Sequence, residues 1–250
     1  MDLRKWPFSL LQSQADMRLA LIGTDTDVGK TRVCVELALG LRALGRRVWL
    51  HKPISCGGWD GTNSEDVRVL GQYLGDGQPR ASLFTRQFAE PCSPHLAASA
   101  AGVNVALRDL TAPAVALADQ ARDADVVLET AGGLLAPITT DRLTNADLLA
   151  DVGWPVLLVT RPHLGTLNHT QLTVNEARRR GLRLLGLVVN HHAQVADSLA
   201  VRTAPDELSR LTGLPVLGVL PFAGQQPAWS LQSPRFAEAV LAAARADVTT

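Results

Sequence analysis

The stretch Gly23-Thr24-Asp25-Thr26-Asp27-Val28-Gly29-Lys30-Thr31 decides the fold. It follows a short apolar run, Arg18 to Gly23, and opens a segment from Gly29 to Leu44 whose apolar residues recur at helical spacing before Gly45. Strand, loop and helix in that order gather successive backbone N–H groups and a helix N-terminus around one point, where they can surround phosphate oxygens. In such a loop Lys30 reaches the terminal phosphates and Thr31 offers its hydroxyl to Mg²⁺. The usual pattern, G-x-x-x-x-G-K-S/T, is met at Gly29, Lys30 and Thr31 but has Thr24 in place of the first glycine. The flanking strand and helix supply the context that the bare pattern lacks.

Working outward, the unit recurs. Residues 46–53 (RRVWLHKP) read as a strand and 64–74 (SEDVRVLGQYL) as a helix, while 123–129, 154–160, 183–190 and 214–221 read as four more buried strands. Short continuous apolar runs alternating with helices predict a mostly parallel sheet with helices on both faces, because strands covered on both sides lose the polar alternation. The predicted fold is therefore a single-domain α/β, P-loop NTPase-like unit over residues 17–250. Residues 1–16 precede the first strand, carry no motif and are expected to be a disordered extension. Between Gly75 and Leu107 the pattern weakens into FAEPCSPHLAAS (88–99), a Pro-containing loop and helix start. Ala-rich stretches near 97–101 and 238–246 read as helix surfaces, and a helix near 234–245 is expected to end the fold against the sheet.

The charge balance narrows the partners. With 24 basic and 24 acidic residues along 250, the chain shows no electrostatic footprint for nucleic acid or anionic lipid. A small polar ligand is the better expectation. Cys34, Cys56 and Cys92 form an odd, widely spaced set without C-x-x-C or metal-finger spacing, which argues against a secreted disulfide framework and for the cytoplasm. No apolar run approaches the roughly 20 residues of a membrane span.

A magnesium ion among phosphates needs oxygen ligands beyond one threonine, commonly one or two carboxylates. Glu129 ends the strand DADVVLE, at the edge where ligands collect in open α/β sheets, and Asp66 begins a helix after a polar loop. Thr130, Ala131, Gly132 and Gly133 follow Glu129 and allow close backbone approach. Lys52, also at a strand's carboxyl end, is suited to offsetting charge on a transferring phosphoryl group. His51 reads as structural. His191 and His192 are successive residues that point apart, so they are not expected to share a metal.

Taken together, GTDTDVGKT, HKPISCG, FAEPCSPH, VVLETAGGLLAPI, LGTLNHTQLT and VVN resemble the dethiobiotin synthetases, in that family's order and across roughly residues 18–225. The resemblance implies a homodimer in which 7,8-diaminopelargonic acid, CO₂ and ATP give dethiobiotin, ADP and phosphate through a carbamate that ATP phosphorylates. It puts Lys30 and Lys52 around the carbamate and γ-phosphate with Thr26 near the substrate, and makes Thr31, Asp66 and Glu129 the Mg²⁺ neighbourhood. It implies a phosphate loop of Asp27, Val28, Gly29, Lys30, Thr31 and Arg32, with Glu129 to Gly132 lining the nucleotide side. Asn190, followed by His191, takes the place of the adenine-contacting asparagine, and Pro221, Phe222 and Ala223 lie near the base. The substrate carboxylate is expected at the start of a helix near Gly165 of the other subunit, with Thr166, Leu167 and Asn168 as donors.

Several positions depart from the family. Cys56 stands where a serine or threonine hydroxyl usually meets the substrate, which weakens that hydrogen bond. Thr130 replaces the first glycine of E-G-A-G-G, His191 replaces an acid that often follows the asparagine, and Gln225 stands near a position acidic in some members. Two other readings compete. An amide ligase of the cobyrinic acid diamide synthase type shares the P-loop class but usually carries a glutaminase domain, which needs far more chain. A partitioning or septum-positioning ATPase resembles K-G-G-x-G-K-T, whose signature lysine falls at Asp25 here.

Overall fold

The computed structural model describes residues 16–191, 193–194, 197–222 and 233–246. Its elements run β1 (Arg18–Gly23), α1 (Lys30–Ala43), β2 (Val48–Cys56), α2 (Glu65–Gly71), β3 (Phe84–Phe88), α3 (Pro94–Ala100), α4 (Arg108–Gln120), β4 (Asp125–Gly133), α5 (Asn145–Val152), β5 (Val156–Thr160), α6 (Thr166–Arg179), β6 (Leu184–Asn190), α7 (Leu199–Thr212), β7 (Val216–Leu220) and α8 (Ser233–Ala246). The strands form one seven-stranded sheet in the order β3-β2-β4-β1-β5-β6-β7, parallel at every pairing. Because β1 lies between β4 and β5, the phosphate loop that follows it opens near the middle of the carboxyl edge.

Sheet burial explains the unalternating runs. Leu19, Leu21, Val127, Leu157 and Val188 pack with α1 and α8 on one face, while Ala20, Ile22, Val126, Leu128 and Leu158 pack with α4, α5 and α6 on the other. Both sides of these strands are apolar because both are covered. Helix starts carry local signals: Ser64 caps α2 by accepting from Val67 N–H at 3.2 Å, and Thr144 and Asp147 form a capping box on α5. Helices α1 and α8 meet so closely that a Cβ on Gly40 would lie 2.1 Å from the Ser233 carbonyl oxygen. Only glycine fits that crossing. At the opposite edge of the sheet, buried Asp125 accepts two 2.6 Å hydrogen bonds from Arg46 and one from Met17 N–H at 2.8 Å, tying β1, β4 and the α1–β2 turn together.

The expected strands and helices are all present, and one strand is added. β3 escapes the pattern because it is an edge strand in which Thr85 and Gln87 are half-buried and Arg86 is exposed, so it makes no apolar run. β2 also continues past Pro53 to Cys56. Its pairing with β4 ends at His51, and from Lys52 on it pairs with β3, so the missing proline N–H breaks no ladder to β4. Ala97 and Ala98 are buried under the sheet, a correction to their reading as helix surface. Residues 1–15, His192, Ala223 and Gln225 lie outside the described residues.

His51, as expected, is structural: Nδ1 donates to the Ser82 carbonyl at 2.8 Å, which leaves Nε2 unprotonated and 3.4 Å from Thr85 Oγ1. Burial, opposed in part by the Ser82 hydrogen bond, lowers its pKa to about 4 from the ordinary 6.5. Between those values the unfolded chain binds the proton and the folded chain does not, so stability contributed by the neutral ring is complete above 6.5 and is lost as pH falls toward 4. The loss amounts to about 3 kcal/mol. Thermal melts at pH 7, 6 and 5 should therefore show a smaller acid-side fall for His51→Asn than for the parent. Parallel curves would remove His51 as the source.

Candidate active site at the carboxyl edge of the sheet

The phosphate loop is held open by its own backbone. Asp27 adopts φ 57° and Gly29, the residue before α1, φ 81°, so the chain turns left-handed twice before the helix begins. Asn190 Nδ2 donates to the Val28 carbonyl at 2.9 Å and Thr24 N–H to Val159 O at 3.0 Å, anchoring both sides of the loop. Lys30 Nζ donates to the Asp25 carbonyl at 3.3 Å, which places the ammonium inside the curve of the loop. This requires glycine at position 23, where a Cβ would sit 2.7 Å from Asp25 O and 3.1 Å from Lys30 Nζ. The close approach that the pattern assigns to its first glycine is met one residue earlier, which accommodates Thr24.

Across the loop, β2, β4 and α2 bring three charged groups together. Lys52 Nζ lies 2.9 Å from Glu129 Oε1 and 2.7 Å from Asp66 Oδ2. Glu129 Oε1 also accepts from Thr31 Oγ1 at 2.6 Å. Ser55, buried, donates its hydroxyl to Asp66 Oδ2. Burial pulls the Lys52 ammonium toward neutrality, but Glu129 and then Asp66 outweigh it and push its pKa above the ordinary lysine range. For Lys30 burial wins: despite attraction to Glu129, and with Lys52 repelling it, its pKa falls to about 8.

Glu129 is 1% exposed, and its second oxygen, Oε2, is buried without a hydrogen-bond partner. An orphaned carboxylate oxygen is costly unless something completes it. Two carboxylates and one threonine hydroxyl, beside a loop built for phosphates, fit Mg²⁺, which takes few protein ligands and completes its shell with water and phosphate. Among the described residues no three His, Cys, Asp or Glu side chains gather as a metal site of the all-protein kind.

These groups line a cavity of about 950 Å³ that also includes Thr26, Asp27, Gly29, Cys56, Thr130, Ala131 and Gly132. Thr130 turns its hydroxyl away from the carboxylates, donating to Leu21 O at 2.8 Å, so its extra bulk is spent on β1. Asn190, His191, Pro221 and Phe222 lie at the ends of β6 and β7, beyond the cavity lining. Asn190 is fully buried, and Arg32 Nη1 donates to its Oδ1 at 3.2 Å and to the His191 carbonyl at 3.3 Å. Thr166, Leu167 and Asn168 open α6 and do not line the cavity of their own chain. Thr166 is engaged internally, its hydroxyl with Thr160 Oγ1 at 2.9 Å and its N–H with His163 O at 3.0 Å. The N–H groups at Leu167 and Asn168 belong to the first turn, which a helix leaves without intrahelical partners.

Two contributors went unread in the sequence. Period-two alternation assigns Lys52 and Ser55 to opposite faces of β2, which hides that both meet the same oxygen of Asp66. Arg161, just past β5, reaches Asp25 Oδ2 at 3.9 Å. The only signal was its place at the carboxyl end of a buried strand.

The sequence profile of an AAA domain matches residues 17–226. Among solved structures, the septum site-determining protein MinD of Pyrococcus horikoshii, complexed with Mg-ADP, superposes with a TM-score of 0.54 at 16% identity, covering 93% of this chain and 96% of that one. A ParA family ATPase from Chlorobium tepidum gives 0.52 at 15% identity, covering 93% of each chain. At such identities these likenesses speak for the fold alone. Sequence relatives are nearer. The ATP-dependent dethiobiotin synthetase BioD of Anaeromyxobacter dehalogenans (strain 2CP-C) is 43% identical over 204 residues, covering 82% of this chain and 89% of that protein. The protein of the same name from Bacillus licheniformis is 33% identical over 199 residues, covering 80% and 83%. Identity of that extent, on a scaffold whose phosphate loop and strand-end carboxylates converge, makes this chain a member of the ATP-dependent dethiobiotin synthetase family.

Proposed function

We propose that this chain, a ligase of biotin biosynthesis that forms dethiobiotin at the expense of ATP, does so by phosphorylating a carbamate held between Lys30 and Lys52. The observation that carries the reading is the convergence of Lys52, Glu129, Asp66 and Thr31 at the mouth of the phosphate loop. One amine of diaminopelargonic acid takes up CO₂, and a carbamate oxygen attacks the γ-phosphorus as ADP leaves. The neighbouring amine then attacks the carbonyl carbon of the mixed anhydride, and phosphate departs as the ring closes. Lys52, kept charged by its carboxylates, offsets negative charge on the carbamate and the phosphoryl group, while Lys30 holds the terminal phosphates. Thr26, at the exposed turn of the loop, orients the substrate. Thr31, Asp66 and Glu129 would hold Mg²⁺, which would supply neutralisation of the nucleotide's phosphate charge.

A homodimer completes the site in this reading, the first turn of α6 from the second subunit receiving the substrate carboxylate. Support comes from the exposed leucines that flank that turn, Leu164 at 89% and Leu172 at 62%, which a second copy would cover. Asn190, His191, Pro221, Phe222 and Ala223 are assigned to the base. Cytoplasmic location is part of the same proposal; among the described residues no helix is long and apolar enough to cross a membrane.

Lys30→Ala should abolish turnover, whereas Lys52→Gln should lower kcat by about 10²- to 10³-fold with the KM for ATP nearly unchanged. Dethiobiotin measured by mass spectrometry gives both, and a Lys52→Gln enzyme defective only in ATP affinity contradicts the role.

Replacing Glu129 by Gln or Asp66 by Asn should raise the Mg²⁺ concentration for half-maximal activity by about tenfold or more while the melting profile stays cooperative. An unaltered Mg²⁺ titration in both variants places the ion elsewhere.

The shared site is tested by mixing two inactive subunits, one Lys30→Ala and one carrying Thr166→Pro with Asn168→Ala. Heterodimers put both defects into one site and leave the other whole, so activity should return toward one working site per dimer. If confirmed heterodimers stay inactive, each subunit binds its substrate alone.

A further inference from the structure

The cavity carries two thiols that the reaction does not use as nucleophiles. Cys56 ends β2 and is half-buried, Cys92 lies in the FAEPCSPH turn and is exposed, and both line the cavity. Cys34, the third cysteine, is buried on α1 and outside it. The backbone brings the two cysteine-bearing segments together. Cys56 is in register with Phe88, and beyond the strands Gly57 N–H donates to Phe88 O at 3.0 Å and Gly58 N–H to Ala89 O at 2.9 Å. The chain then turns, with Cys92 N–H donating to Glu90 O at 3.0 Å, and Pro91 comes back over Gly57 so that a Cβ there would lie 3.6 Å from Pro91 Cα. Cys56 and Cys92 are the immediate neighbours of these two touching residues. Burial first, and then charge on the neighbouring Cys92, push the Cys56 thiol up to about 12, consistent with two sulfurs within electrostatic reach. Residues 89–92 are all exposed, so no described residue packed above them opposes a small closure of the turn.

We propose that Cys56 and Cys92 are a dithiol modification site, oxidised by a peroxide to an intrachain disulfide that shuts the substrate end of the cavity. The shutting rests on the proposed use of this cavity for diaminopelargonic acid; the pairing of the thiols does not. Peroxide meets the exposed Cys92 first. Its sulfur, as thiolate, attacks one peroxide oxygen, the O–O bond breaks, and the departing hydroxide takes a proton to become water, leaving a sulfenic acid. The Cys56 sulfur then attacks the Cys92 sulfur, the S–O bond breaks, and hydroxide leaves with the Cys56 proton as a second water. Two thiols are oxidised and one hydrogen peroxide is reduced to two waters. A thiol in place of the family's hydroxyl at position 56 thereby gains a chemistry that serine lacks.

The test treats the full-length folded protein with hydrogen peroxide and maps its peptides without reduction. The expected result is a Cys56–Cys92 cross-linked peptide lighter by two hydrogens, with dethiobiotin formation falling in proportion to the cross-linked fraction and returning on addition of dithiothreitol. Cys92→Ser should lose the cross-link, and its activity relative to its own untreated level should no longer fall with peroxide, while saturating ATP with diaminopelargonic acid should slow cross-linking in the parent. Cys92 oxidised alone, a link between chains, or no link with either peroxide or diamide overturns the pairing. A link that leaves activity intact overturns the shutting. An untreated enzyme that makes no dethiobiotin overturns the functional reading instead, while the peptide map still decides the thiols.

Discussion

Two carboxylates that converge on one buried ammonium set the terms for everything around them. Glu129 and Asp66 sit on different elements, β4 and α2, Glu129 fully buried and Asp66 partly so, and both turn a carboxylate oxygen to the same ammonium. Lys52 compensates their charge, and its own is retained only because they are there. Removing one member of such a set leaves a buried charge uncompensated, commonly at a cost of about 3–5 kcal/mol. The phosphate loop inherits the arrangement: Thr31 is tethered to Glu129, and Lys30 is weakened as an ammonium by burial and by the nearby Lys52. The two lysines and two carboxylates cancel in charge, so a polyphosphate gains little net attraction from them alone. It is better received with its own cation, the companion that the spare oxygen of Glu129 is suited to accept.

The sheet was legible because burial on both faces erases alternation and leaves apolar runs that stand out from the helices between them. The phosphate loop was legible because the chemistry confines it to one place between strand and helix. What stayed hidden was local to edges and ends. β3 is half solvated and so lacks the apolar run. Ser55 reaches Asp66 in spite of its position in the alternation, and Arg161 joins Asp25 across a loop. These are contacts between elements far apart in sequence, fixed by how the strands end and splay, and no residue pattern encodes them directly. Thr130 shows the reverse case: a departure that looked intrusive in one dimension is satisfied by the Leu21 carbonyl in three.

The same scaffold carries partitioning and septum-positioning ATPases, so the fold by itself does not decide the chemistry. On the phosphate loop, Asp25 stands where the K-G-G-x-G-K-T pattern of the partitioning ATPases would have its signature lysine. Here the position is acidic, half in solvent and 3.9 Å from Arg161. An exposed pair of that length contributes about 1 kcal/mol at most. Its sign matters more than its strength, because an anion cannot substitute for a lysine reaching toward phosphate.

The placement of β1 has a consequence for how the molecule comes into being. The strand that leads into the phosphate loop is the first described element of the chain, yet it pairs with β4 and β5, whose residues begin at Asp125 and Val156. During synthesis the nascent loop therefore emerges long before either neighbouring strand exists, with an apolar strand and helix beside it. Sheets closed by such distant partners form late and slowly. Over that interval the exposed apolar surface is open to association with other chains, a hazard set by the order of the strands and not by any contact in the finished fold.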